Sequence, residues 1–188
     1  MSVPSDAHER RFHGDPDRLR SPERLALLEV DRVIASSLQG LSVHRVLDVG
    51  TGTGIFAEAF RAEGLEVAAI DVNAMLLEKA QSQLPSVAFK IGQAEDIPFA
   101  DDSFDLVFLG HVLHETDDPV KALGEARRVG TARVVVLEWP FRDEEHGPPL
   151  GHRLEPTSVM DMADRAGLAE VEHLPLSHMD LYRMAIRP

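Results

Sequence analysis

The chain has 188 residues, no cysteine and a formal net charge of −13. It is long enough for one well-buried domain and too short for two large ones. Without cysteine, disulfides, thiolate metal sites and a cysteine nucleophile are excluded, and the acidic balance argues against DNA, RNA and anionic membrane surfaces as partners.

Residues 1–20 are rich in Asp, Arg, His and Pro around an isolated Phe12, and read as an arm without a core of its own. Met1 to Asp17 lacks the apolar centre of a signal peptide, and no run has the length of a membrane-spanning helix, so a cytoplasmic protein is expected. Ser21-Pro22-Glu23 predicts a helix start, with Ser at the cap, Pro in the first turn and an acid next. Leu25, Leu28, Val33 and Leu38 share its apolar side, and Gly40 ends it. Arg18, Arg20, Arg24 and Arg32 alternate with Glu23, Glu29 and Asp31, the pattern of a solvated face.

Apolar strands and capped helices then alternate. Strands are predicted at Arg45–Val49, Glu66–Asp71, Val87–Ile91, Phe104–Leu109 and Ala132–Glu138. Between them, one helix runs from Gly54 to Glu63, a second is capped by Asn73 and stopped by Pro85, and a third starts at Asp118-Pro119. Regular βαβ alternation means a parallel sheet with helices on both faces. Pro140–Pro156 reads as a long loop of functional character. A last helix is predicted from Thr157-Ser158 to Gly167, followed by strands Ala169–Leu174 and Leu181–Arg187, whose short link makes them antiparallel. The expected division is an arm and first helix over 1–40 and a single domain over 41–188.

The chemistry centres on Arg45-Val46-Leu47-Asp48-Val49-Gly50-Thr51-Gly52-Thr53-Gly54-Ile55-Phe56. A buried strand runs into a glycine turn and a helix start. Such a turn lets a ligand approach the backbone and offers it free N–H groups. The spacing G-x-G-x-G differs from the dinucleotide fingerprint G-x-G-x-x-G. Asp48, two residues before the first glycine, suits an ammonium group and repels a pyrophosphate. Asp71 lies about twenty residues beyond the turn, where a carboxylate accepts from ribose hydroxyls.

Here the sequence resembles the class I S-adenosylmethionine-dependent methyltransferases, of the small type similar to those of ubiquinone and menaquinone biosynthesis. Val46–Gly54 matches the first motif of that family, and Gly92-Gln93-Ala94-Glu95-Asp96-Ile97-Pro98-Phe99 matches its adenine segment. The resemblance implies a Rossmann-like seven-stranded sheet of order 3-2-1-4-5-7-6 with strand 7 antiparallel. It implies S-adenosylmethionine as cofactor, with S-adenosylhomocysteine as product. Asp48, Gly50, Thr51, Gly52 and Gly54 would hold the methionine end, Asp71 and Val72 the ribose, and Gln93, Ala94 and Glu95 the adenine. Gln93 stands where the family usually has Asp; its amide oxygen also accepts. Gly110 and His111 resemble residues lining the methionine part.

His111 and His114 follow the fourth predicted strand and are candidates for taking a proton from the acceptor. With Glu115, and His146 or His152, they match metal spacings only loosely, and no metal is expected. The acceptor is expected to be a small molecule, with no nucleic acid and no membrane insertion; oligomeric state is not legible. A protein that binds the cofactor without turnover, or an NAD-dependent oxidoreductase, remains as an alternative.

Overall fold

A computed structural model describes residues 16–187; Phe12 and its neighbours in the expected arm lie outside the described residues. One sheet contains β1 (Arg45–Val49), β2 (Glu66–Asp71), β3 (Ala88–Ile91), β4 (Phe104–Gly110), β5 (Gly130–Glu138), β6 (Ala169–Pro175) and β7 (Asp180–Ala185). Their order is β3-β2-β1-β4-β5-β7-β6. The first five strands pair in parallel, while β7 runs antiparallel to both β5 and β6. This is the expected Rossmann-like arrangement.

The helices are α1 (Pro22–Leu28), α2 (Val30–Leu38), α3 (Ile55–Ala62), α4 (Ala74–Gln83), α5 (Pro119–Val129) and α6 (Pro156–Arg165). The inner strands are apolar on both faces because both faces are covered. Leu47, Ile70, Val107, Leu109, Val134 and Val136 pack with Leu123 and Ala126 of α5 and Val159 of α6. The alternate positions Val46, Ala69, Leu106, Phe108, Val135 and Leu137 pack with Leu28, Val33, Ile34, Phe56 and Phe60 of α1 to α3. The period of two in the strands thus divides the core between two helical layers.

Several boundaries depart from the sequence expectations by a residue or two, the last strand ending at Ala185 and not Arg187, and three departures have a visible cause. The single helix expected from Ser21 to Gly40 is broken at Glu29, whose φ of 46° is left-handed. A long-range contact fixes this corner: the Glu29 carboxylate accepts the His178 N–H at 3.0 Å and the Arg32 guanidinium at 3.2 Å. Next, β5 starts at Gly130, directly from α5, not at Ala132; a Cβ at Gly130 would lie 2.6 Å from Ile186 Cδ1. Finally, α6 begins at Pro156 behind Glu155, without a side-chain cap. Proline's preset φ opens the helix one residue before the expected Thr157-Ser158 start. No described helix is long and apolar enough to cross a membrane.

Candidate active site

The carboxyl ends of β1, β2, β4 and β5 converge on one cleft of about 1230 Å³, roofed by α1. In open α/β sheets this edge is where ligands bind. The floor is the glycine turn. Gly50, Gly52 and Gly54 have φ of 67°, 54° and 82°, a region in which side chains are strained. Gly50 is doubly constrained, since a Cβ there would lie 2.2 Å from Val112 Cγ2. The N–H groups of Gly50 and Thr51 both donate to Ile70 O, at 2.8 and 3.0 Å, which ties the turn to β2.

Asp48 is not among the residues that line the cleft. It is 1% exposed and lies under the turn, where its Oδ2 accepts the Thr51 hydroxyl at 2.6 Å. Thr51 covers it and itself lines the cleft. Burial pushes the Asp48 carboxyl up to about 7; the Thr51 hydroxyl and the Ala57 N–H oppose that rise, and the charge of Asp71 adds to it.

Asp71 does line the cleft. Its Oδ2 accepts the Gly52 N–H and its Oδ1 the Asn73 N–H, each at 2.8 Å. Each oxygen keeps a lone pair for a further donor. Helix capping falls to Asn73, whose Oδ1 accepts from Met75 and Leu76. Burial raises the Asp71 pKa above the ordinary carboxylate range against three backbone N–H bonds that lower it.

Val72, Gln93 and Ala94 stand beside Asp71 in the lining. Val72 is 47% exposed, an apolar surface left open at the cleft. The Gln93 carbonyl receives the Asp96 N–H at 3.1 Å, which closes the turn. Glu95 also lines the cleft, but its Oε1 is engaged by the Asp117 N–H at 2.9 Å. One organiser here was not visible in the sequence. Arg128 on α5 donates to the carbonyls of Ile97 and Phe99 at 2.9 Å each and pairs with Glu125 and Asp101 at 2.7 Å. It pins the segment after Gln93 from outside.

At the β4–β5 end, Gly110, His111 and His114 line the cleft. The segment is not a regular helix: His111 has a φ of 60°, and Leu113–Glu115 forms a 3-10 turn. Both ring nitrogens of His111 are buried without a hydrogen-bond partner among the described residues. Its ring lies 5.0 Å from that of Trp139. Burial, then the Arg24 and His114 charges, holds His111 well below the usual imidazole pKa. His114 is held differently. Its Nδ1 lies 2.6 Å from Glu138 Oε2, and its backbone N–H donates to Glu138 Oε1 at 3.3 Å. Against an ionised Glu138, which only accepts, Nδ1 is the donor; Nε2 lies 3.9 Å from Glu115 Oε1.

The wall at this end is Trp139 with His146, Gly147 and Pro148 from the long loop. Gly147 lies flat on the indole; a Cβ there would be 2.6 Å from the ring. Buried Arg153 organises the loop by donating to the carbonyls of Pro148, Pro140, Arg142 and His146. Arg24, expected on a solvated face, instead lines the cleft. The break at Glu29 turns α1 over the strand ends, and no local pattern announces that. Among the described residues no group of three His, Asp or Glu side chains is placed to hold a metal.

A Rossmann-like sheet with a glycine turn, an acid at the end of β2 and an antiparallel β7 is the arrangement of the methyltransferase class of this fold. Residues 47–134 match the family described as "Methyltransferase domain". The chain is 35% identical over 119 residues to the demethylmenaquinone methyltransferase of Renibacterium salmoninarum, covering 59% of this chain and 50% of that one. It is 38% identical over 91 residues to the uncharacterized methyltransferase YcgJ of Bacillus subtilis, covering 46% of this chain and 36% of that one. Among solved structures, a SAM-dependent methyltransferase from Aquifex aeolicus superposes with a TM-score of 0.83 at 25% identity, over 94% of this chain and all of that one. The chain spans about half or less of the length of these curated relatives. These likenesses support a class I S-adenosylmethionine-dependent methyltransferase of the ubiquinone/menaquinone-like type.

The site fits that family's cofactor. The turn leaves no room for a Cβ at Gly50, Asp71 has accepting capacity, and the Thr53 hydroxyl and both His111 nitrogens are buried without partners among the described residues.

Proposed function

We propose that the protein transfers a methyl group from S-adenosylmethionine to a small-molecule acceptor bound at the β4–β5 end of the cleft. The observation that carries this is one continuous cleft joining the glycine turn, Asp71, Gln93-Ala94 and His114. Bound there, the cofactor supplies an electrophilic methyl group on a sulfonium. Asp71 would accept from the ribose hydroxyls, and Gln93 and Ala94 would receive the adenine edge, with Val72 against its face. Asp48 would act from below, its charge reaching the ammonium through Thr51. Gly110 and His111 would shape the methionine end; His111, buried and neutral, has no carboxylate partner among the described residues to support a positive charge.

In-line displacement requires the acceptor's nucleophilic atom opposite the sulfonium. His114 would take that atom's proton, with Glu138 fixing its tautomer and stabilising the imidazolium formed. The matched relative is, by its name, a demethylmenaquinone methyltransferase, which agrees with a small-molecule acceptor. Calorimetric titration with S-adenosylmethionine, S-adenosylhomocysteine and NAD tests the reading. Micromolar binding of the first two without NAD is expected; NAD binding alone would overturn it.

A further inference from the structure

We propose that Arg24 is the receptor for an anionic group, a carboxylate, on the ligand at the β4–β5 end of the cleft. This rests on the methyltransferase reading and specifies one half of the occupant's chemistry.

Arg24 projects from α1 into the cleft. Its guanidinium carbon sits 5.7 Å from the centre of the Trp139 ring. Its Nε–H is buried with no acceptor among the described residues. Glu115 attracts it through space, while burial is the largest influence and disfavours its charge. Two other arginines of this region are already committed. Arg20 donates to Thr53 O and pairs with Glu58 at 2.8 Å, and Arg153 holds the loop carbonyls.

A guanidinium is a planar fork of five donors matched to a carboxylate. Removing it from water without an acceptor is unfavourable, and an anion entering the cleft relieves that. The Trp139 face limits the plane the fork adopts, which favours bidentate capture over a diffuse contact.

Two carboxylates would meet this description: one on the acceptor, or the α-carboxylate of the cofactor. Position favours the acceptor. Trp139 follows β5, two strands from the glycine turn, or roughly 10 Å at the usual strand spacing. The same neighbourhood holds His114 and Glu138. An acceptor with a protic nucleophile at one end and an acid group at the other would engage His114 and Arg24 together.

The test uses wild type, R24A and R24K, each first checked by thermal melting. S-adenosylhomocysteine and 5′-methylthioadenosine, which lacks the amino-acid tail, are titrated by calorimetry. 4-Hydroxybenzoate and phenol are then titrated into S-adenosylhomocysteine-saturated protein by ligand-observed NMR. We expect R24A to weaken 4-hydroxybenzoate by about tenfold or more, with phenol and both nucleosides unchanged and R24K intermediate. A comparable loss for S-adenosylhomocysteine, with 5′-methylthioadenosine unaffected, would keep the anion subsite and assign it to the cofactor. If neither carboxylate depends on Arg24, or the probes lacking a carboxylate weaken equally, the proposal is overturned. Should R24A fail to fold, R24K against wild type carries the same comparison. Failure of wild type to bind S-adenosylhomocysteine would instead strike the methyltransferase reading.

Discussion

Asp48 and Asp71 end neighbouring strands, yet their surroundings give them different work. Asp71 meets the cleft and keeps accepting capacity, whereas Asp48 is sealed beneath Thr51. With a folded pKa of about 7, above the ordinary carboxylate value, Asp48 binds a proton more tightly in the folded chain. Its contribution to stability is therefore greatest at low pH and declines as pH rises from about 4 to 7. D48N should be more stable than wild type at pH 8 by about 1–3 kcal/mol, with a flatter profile across that window. Urea unfolding at pH 5 and pH 8 measures this; an unchanged slope would show that Asp48 ionises as freely folded as unfolded. At the other end of the cleft, the short His114–Glu138 contact makes a separate prediction. Once an acceptor is in hand, H114Q should lower kcat by about 10²-fold or more and abolish the acidic limb of the pH–rate profile. E138Q should keep a limb but move it to lower pH, because the imidazolium loses its counter-charge. Equal profiles in all three proteins would remove His114 from proton transfer.

Among the elements, the 140–156 loop shows how one side chain substitutes for secondary structure. Four of its carbonyls point at Arg153, so the segment closes around a buried cation and not around a hydrogen-bonded ladder. R153A should cost about 2–4 kcal/mol, since several charge-assisted bonds go at once. Limited proteolysis should then cut first within the loop; a wild-type pattern would mean the prolines alone hold it. This kind of organisation is what the sequence conceals. The strands were legible because Val46–Leu47, Val67–Ile70 and Leu106–Leu109 are apolar runs that lead directly into Asp or Gly. The glycine turn, Asp71 and the Gln93–Ala94 turn were legible because each is set by residues close in sequence. The pairing of His114 with Glu138, the grip of Arg128 on Ile97 and Phe99, and the grip of Arg153 on the loop join residues brought together only by the sheet or by burial. Local propensity carries no trace of such partners, and an arginine among acids, such as Arg24, reads as solvated until its helix is placed.

On the scale of the whole molecule, α1 is aimed over the cleft by the left-handed corner at Glu29 and its bond to His178, in the turn between β6 and β7. A non-glycine residue in that conformation is strained and persists only where contacts hold it. E29A should therefore destabilise by about 1–3 kcal/mol, weaken S-adenosylhomocysteine binding and speed amide exchange in α1. E29G should recover part of the stability, because glycine adopts the corner freely, but not the affinity, because the bond to the turn is still missing. Identical affinities in wild type and E29G would show that the corner, not the bond, aims the helix. The same bond sets an order of events during synthesis. Glu29 leaves the ribosome early, while His178 belongs to the last hairpin described here. A nascent chain can form the glycine turn and its neighbouring strands, yet the helix above them lacks its anchor until almost all of the described chain has emerged. Contacts of such wide sequence separation form late, so the cleft acquires its roof only after the sheet beneath it is built.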